Sequence, residues 1–358
     1  MQFNSTKTQF LWAILLILFL PTVVNAQQTE PLDSVLQSAP LDKVVQYALE
    51  HQPAIKQAEI DQEITNKIIK GKLADWYPQV NFVLNYQRLF DKQANIIGET
   101  LVRFGAYNSS SAQLSATQNV FNRDVLLAST TASKIRMQSS YNTVSAKIDM
   151  TVVVTKAFYD LLATEQQIKV NEESIARLEQ SLKDAFSRYE AGVSDKTDYK
   201  RATILLSNAK ATLKTNSELL RVKHEYLKTV IGYPTDHDLP IQYDTLQMET
   251  EIALDTTEQF NHVNHIAYKV MQTQHELQEA NVKYSKWAFL PTLNLNANYN
   301  LNYQNDSFGS LYGTSYPYSF MGASLGFPIF QGGKRSAKIQ EQRWASKRID
   351  VGLANLES

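Results

Sequence analysis

Three histidines are the first residues in this sequence that could do chemistry. His262 and His265 stand at i, i+3 spacing on an expected helix, and His275 lies further along it. Two imidazoles on one helical face are half of a zinc site, but a closed metal shell needs further ligands, and no carboxylate pattern supplies one. The pattern predicts no metal site. The stretch "FQGGKRS" (330–336) offers a Gly-Gly-Lys, the heart of a phosphate loop. However, Pro328 occupies the position of that loop's first glycine and Arg335 that of its serine or threonine, so a helix start after a strand explains it better. No Ser/His/Asp arrangement has the spacing of a hydrolase. The reading is of a protein that is not an enzyme and needs no cofactor.

Composition excludes more. The 358 residues contain no cysteine, which removes disulfides, thiolate metal sites, a cysteine nucleophile and a lipid-modified cysteine anchor. Lys and Arg number 35 against 36 Asp and Glu, so no basic stripe marks a nucleic-acid partner. Near the start, Lys7 precedes an apolar run from Phe10 to Leu20, and Val24-Asn25-Ala26 follows before Gln27. A run of 11 residues is too short to span a bilayer as a helix, which takes roughly 20. Residues 1–26 read as an export signal, and 27–40 as a short N-terminal extension. No other window resembles a membrane helix, so a membrane-embedded mature chain must use strands.

One segment has that design. In "LPTLNLNANYNLNY" (290–303), Asn294, Asn296, Asn298, Asn300 and Asn302 fall at every second position, with Leu293, Leu295, Ala297, Tyr299 and Leu301 between them. The period of two is that of a strand. Asparagine cannot pack a dry core, so one face must meet water and the other an apolar medium. The segment "QVNFVLNYQ" (79–87) repeats the plan: Phe82, Leu84 and Tyr86 face one way, Asn81 and Asn85 the other. A membrane barrel wants this arrangement, with lipid outside, a wet lumen inside and aromatics at the interface. A solvent-exposed sheet is the alternative. On the barrel reading, Asn81, Asn85, Asn294, Asn296, Asn298 and Asn300 line the lumen, and Phe82, Leu84, Leu293, Leu295 and Tyr299 meet lipid.

The two segments belong to an internal repeat. Shifting the sequence by 213 positions aligns Leu41 with Leu254, Asp42 with Asp255, Pro78 with Pro291, Asn81 with Asn294 and Tyr86 with Tyr299, without a gap. Each unit is expected to open with a helix of some 33 residues, with Asp42 or Asp255 in its first turn, ending before the proline. Return strands are expected at Ser111–Phe121, after a polar loop of about 20 residues, and at Ser319–Phe330. Phe308, Tyr312, Tyr316 and Tyr318 suit an aromatic belt. Four strands cannot close around a lumen, and open edges are not tolerated in lipid. A membrane reading therefore requires several copies.

Between the hairpins, Arg123 to Glu190 runs without proline or glycine. Val154, Leu161, Ile168, Ile175, Leu182 and Tyr189 recur every seven residues, as do Tyr199, Leu206, Leu213, Leu220 and Leu227. The repeat predicts two long helices supercoiled antiparallel. Gly192 is expected to stop the first, Ser194 or Asp195 to cap the second, and Gly232 with Pro234 to end it. Such a hairpin fits either an export conduit or a structural or adhesive coiled-coil protein of the cell envelope.

The order of these parts, with "WYPQVN", "RYEAGVSDKTDYKRA", "FLPTLNLNANY" and "FPIFQGGKR", resembles the TolC-like outer-membrane factor family, the outer membrane efflux proteins. The resemblance covers everything after the export signal. It implies a mostly α protein with membrane β structure: a duplicated unit of helix, β-hairpin and long helical hairpin. Three chains would form a twelve-stranded β-barrel continued by a periplasmic α-helical barrel. It implies residence in the outer membrane of a Gram-negative bacterium, and passive export with a periplasmic adaptor (membrane fusion) protein and an inner-membrane pump of RND or ABC type. Carried over by position, the gate and adaptor contact fall on Gly192, Val193, Thr197 and Asp198. The expected division is 41–253 for the first unit (hairpin 79–121, coiled coil 123–230, then a linker) and 254–358 for a truncated second unit (hairpin 292–330, start of a long helix). By the period, about 108 residues would complete the second unit beyond Ser358.

Overall fold

The computed structural model describes residues 36, 39–243 and 261–357. The expected export signal, most of the N-terminal extension, the second part of the linker (244–253) and Asp255 lie outside the described residues. The element order is α1 (Leu41–His51), α2 (Pro53–Ala74), β1 (Gln79–Arg88), β2 (Gln93–Ile97), β3 (Thr100–Phe104), β4 (Asn108–Phe121), α3 (Arg123–Glu190), α4 (Lys196–Ile231), α5 (Ile266–Lys286), β5 (Thr292–Asn305), β6 (Ser315–Gly326) and α6 (Lys334–Glu357). Among the described residues no helix is long and apolar enough to cross a bilayer.

The first helix departs from expectation. Instead of one helix to the proline at 78, there are two, because Pro53 starts the second at its first position and holds Gln52 extended at ψ 124°. The break is seated: the Gln52 side-chain amide donates to the Val230 carbonyl at 2.6 Å. In the second unit α5 starts at Ile266, the repeat position of Pro53, after a 3-10 turn at His262–Asn264.

α3 matches its prediction at both ends and is 68 residues long. The Asn122 side chain caps it by accepting from the Asp124 amide at 2.8 Å. It stops in a Schellman turn: Gly192 takes φ +74°, its amide bonds to the Tyr189 carbonyl, and Val193 N bonds to the Arg188 carbonyl at 2.9 Å. α4 ends the same way, with Gly232 at φ +73°. The seven-residue seam packs as read. Val154, Leu161 and Ile175 on α3 and Ala202, Leu206 and Leu227 on α4 are buried. Charged partners such as Lys210–Glu179 and Lys223–Asp160 bridge its rims.

A buried apolar core sits where α1 packs against α3 and α4. Val44, Tyr47 and Ala48 meet Phe158, Leu161, Leu162, Leu227 and Ile231 there, all buried. Tyr47 stacks on His51 at 4.0 Å. Ala39 pairs in parallel with Ile241 across this core, tying in the segment that follows α4.

Four of the strands form one antiparallel sheet in the order β1-β4-β5-β6. The helices leaving it keep that order, since α2 packs on α3, α3 on α5 and α5 on α6. Polar ties join these helices side by side: Lys147 to Glu59, Lys134 to Glu276, His275 to Asp350 and Gln278 to Gln342. β6 runs Ser315–Gly326, four residues earlier at each end than expected. Pro328 has no amide to donate and removes the tail from the ladder. Pro317 is tolerated inside β6 because β6 is an edge strand. The supposed polar loop is also a correction. It holds a second hairpin, β2–β3, turned at Gly98 with φ +68°, its strands built from apolar and β-branched residues such as Ile96, Leu101, Val102 and Phe104.

Candidate functional site

The strand register decides which side chains share a face. Phe82 stands opposite Leu114, Leu114 opposite Tyr299, and Tyr299 opposite Ser319. One position away, Asn81, Ser115, Asn298 and Phe320 form the row of the other face. Asn81, Asn85, Asn294, Asn296, Asn298 and Asn300 thus all lie on one side, and Phe82, Leu84, Leu293, Leu295 and Tyr299 all on the other. The apolar side is uncovered: Phe82 is 65% exposed and Met321 86%. At its far end the 3-10 turn Phe308–Gly313 folds over it. Phe308 meets the edge of Tyr86 at 5.6 Å and Tyr312 meets Tyr303 at 5.1 Å.

The amide side is chemically uncommitted. Among the described residues, none of those six asparagines makes a side-chain hydrogen bond within the protein, and the Asn294 and Asn300 Oδ1 atoms are buried without a partner. An unmet buried amide costs about 1–3 kcal/mol, so a face of them is stable only when water reaches it.

β6 breaks the pattern of its neighbours. Tyr316, Tyr318 and Phe320 stand opposite Asn302, Asn300 and Asn298. They share the amide face, while Ser315, Pro317 and Ser319 take the other. Tyr316 and Tyr318, expected in an apolar belt, are therefore corrected to the amide face. The signal was in the sequence, where "SYPYSF" (315–320) alternates in the opposite phase to the rest of β6.

The far end of the α3–α4 hairpin gathers Gly192, Val193, Thr197 and Asp198. A Cβ on Gly192 would meet open space, so glycine is required there by backbone conformation alone. Val193 is 79% exposed. Asp195 caps α4 through the Thr197 amide at 3.3 Å, and the Ser194 hydroxyl donates to the Asp198 carboxylate at 2.7 Å. Behind the turn Tyr199 lies between Phe186 and Tyr189, at 5.7 and 5.0 Å. Sequence reasoning missed the cations beside it. Arg177, Arg188 and Arg201 line a groove of about 540 Å³ with Asp184 and Asp198.

The residues set aside as chemical candidates are occupied otherwise. His275 pairs with Asp350 at 2.9 Å and His262 sits against the Tyr268 ring. Gly332 and Gly333 take positive φ in the turn before α6.

A slab of strands continued by helices in the same order, one strand face greasy and the other wet, defines a membrane channel subunit with a long soluble extension. The model of the outer membrane efflux protein family matches residues 44–233. The outer membrane protein TolC of Vibrio cholerae is 21% identical over 333 residues, covering 91% of this chain and 73% of that protein. Among solved structures, the outer membrane protein VceC of Vibrio cholerae superposes with TM-score 0.71 at 12% identity, over 88% of this chain and 74% of VceC. CusC gives 0.72 at 13% identity, over 93% and 75%. The Campylobacter jejuni CmeC outer membrane channel gives 0.69 at 15% identity, over 88% and 67%. The chain belongs to the outer membrane efflux protein family: it is an efflux channel of the Gram-negative outer membrane, with a large helical portion in the periplasm.

Proposed function

We propose that this chain is the outer-membrane duct of a tripartite efflux or type I secretion machine, a passive conduit with no catalytic step. Three copies pool four strands each into a twelve-stranded barrel whose lumen is the amide face and whose outside is the apolar face. α2, α3, α5 and α6 continue the wall into the periplasm. The observation that carries this reading is the unpaired amide face set back to back with an exposed apolar face, a combination that suits water on one side and acyl chains on the other. The tip at Gly192, Val193, Thr197 and Asp198 is the gate and meets the adaptor, and an inner-membrane pump of RND or ABC type supplies the energy. Purified full-length protein added to planar bilayers should give discrete, stable channels. Absence of any conductance from folded protein would overturn the duct.

A further inference from the structure

Where the sheet passes into helices, α3, α5 and α6 enclose a cavity of about 500 Å³ lined by Arg123, Lys334, Arg335 and Lys338 together with Tyr284 and Asn281. The cations outnumber the carboxylates around it. Asp124 accepts the Tyr284 hydroxyl and Glu341 pairs with Lys338. Among the described residues Arg123, Lys334 and Arg335 pair with no carboxylate. Two guanidinium groups lie over rings, Arg123 over Tyr284 at 4.8 Å and Arg335 over Phe289 at 4.5 Å. Arg335 also donates to the Ile329 carbonyl at 2.9 Å. That anchor places it beside Phe327, Ile329 and Phe330, which are largely exposed. Phe327 and Ile329 continue the phase of the uncovered apolar face past the end of β6.

The order along the molecule is therefore apolar side chains, then a pocket of four cations of which three pair with no carboxylate among the described residues, at the level where the strands stop. A phospholipid has the same order, acyl chain then phosphate. Guanidinium groups match phosphate oxygens in pairs and are weakly hydrated, so they bind a phosphodiester well at a half-wet boundary. We infer that this cavity binds the phosphate of a phospholipid of the periplasmic leaflet, with Lys334 and Arg335 as its main ligands and Arg123 and Lys338 beside them. The site rests on the barrel reading, since it places the strand ends at a leaflet.

Native mass spectrometry of the full-length protein in detergent tests it, with phosphatidylglycerol, phosphatidylcholine of the same chain length, or inorganic phosphate added. Phosphatidylglycerol should remain bound to the wild type. In Lys334→Gln/Arg335→Gln its affinity should fall roughly 25-fold at low salt, about fivefold per charge, with single-channel conductance unchanged. Equal lipid retention by the double variant would overturn the site. So would inorganic phosphate displacing the lipid at equal concentration, which marks a free-anion site. Loss of the assembled mass on substitution would also overturn it, by assigning the cations to a neighbouring copy. If the double variant does not fold, Lys334→Gln alone, at an exposed position, gives the same contrast at about fivefold. Wild-type channels without retained lipid sink this inference alone, whereas a folded wild type without channels sinks the duct.

Discussion

Asn298→Asp tests the face assignment most directly. Asn298 sits midway along β5 in the row with Asn81, Ser115 and Phe320. Twelve strands spaced ~4.8 Å and tilted about 40° enclose a ring of radius roughly 12 Å. A carboxylate pointing inward then lies roughly 9 Å from the axis. In water each such charge contributes about 0.46 kcal/mol to a monovalent ion on the axis, screened to about 0.19 at 0.1 M salt. Three copies give about 0.6 kcal/mol, close to the thermal energy. Cations are enriched and anions depleted by roughly 2.6-fold each, so the permeability ratio should shift about sevenfold toward cations at 0.1 M and by less than about 1.5-fold at 1 M. The assay is the reversal potential of single channels under a salt gradient. Tyr299→Asp, one residue on, puts the same charge on the apolar face, where it opposes insertion, and should yield no channels. Unchanged selectivity in Asn298→Asp at low salt, or normal channels from Tyr299→Asp, would refute the assignment of faces.

At the tip, Asp198→Ala removes the acceptor of the Ser194 hydroxyl and should raise leak in bilayers; unchanged leak would leave Asp198 a solvated first-turn acid. Leu161→Ala empties a fully buried position where α1 crosses the coiled coil and should destabilise by about 2–5 kcal/mol, read as thermal unfolding of the helical signal by circular dichroism. Asp306 accepts from Lys92 and from the Tyr107 amide, which hold its carboxyl below the usual range. A lowered folded value stabilises above the unfolded pKa of ~3.9 and is lost as pH falls through the folded one. Proteolysis of the segment joining β5 to β6 should therefore be unchanged down to about pH 4 and rise below it, while Asp306→Asn should raise it at neutral pH.

The long elements were legible because their signals are local and redundant. α3 has no breaker for its whole length, and its seam repeats often enough that no single residue decides it. β1 and β5 announced their faces through alternation. What escaped was set by one residue or by neighbours distant in sequence. Pro53 stands inside an otherwise helical pattern and splits it, which the repeat alignment masked, since Ile266 takes its place in the second unit. β2 and β3 are five residues each, too short to stand out from a polar loop. The phase of Tyr316, Tyr318 and Phe320 is local, but which face that phase means depends on pairing with β5. The tip arginines come together only through the antiparallel coil, and their sequence separation hides them.

β1 and β6 each leave one row of backbone amides and carbonyls unpaired at the rim of the sheet. In the proposed ring every rim meets a neighbour's, so a copy with one rim disabled spoils the ring it joins. A proline placed within β1, which has none, would make such a copy. Expressed equally with the wild type, and mixing freely, it should leave roughly an eighth of rings intact, and the defect should be genetically dominant.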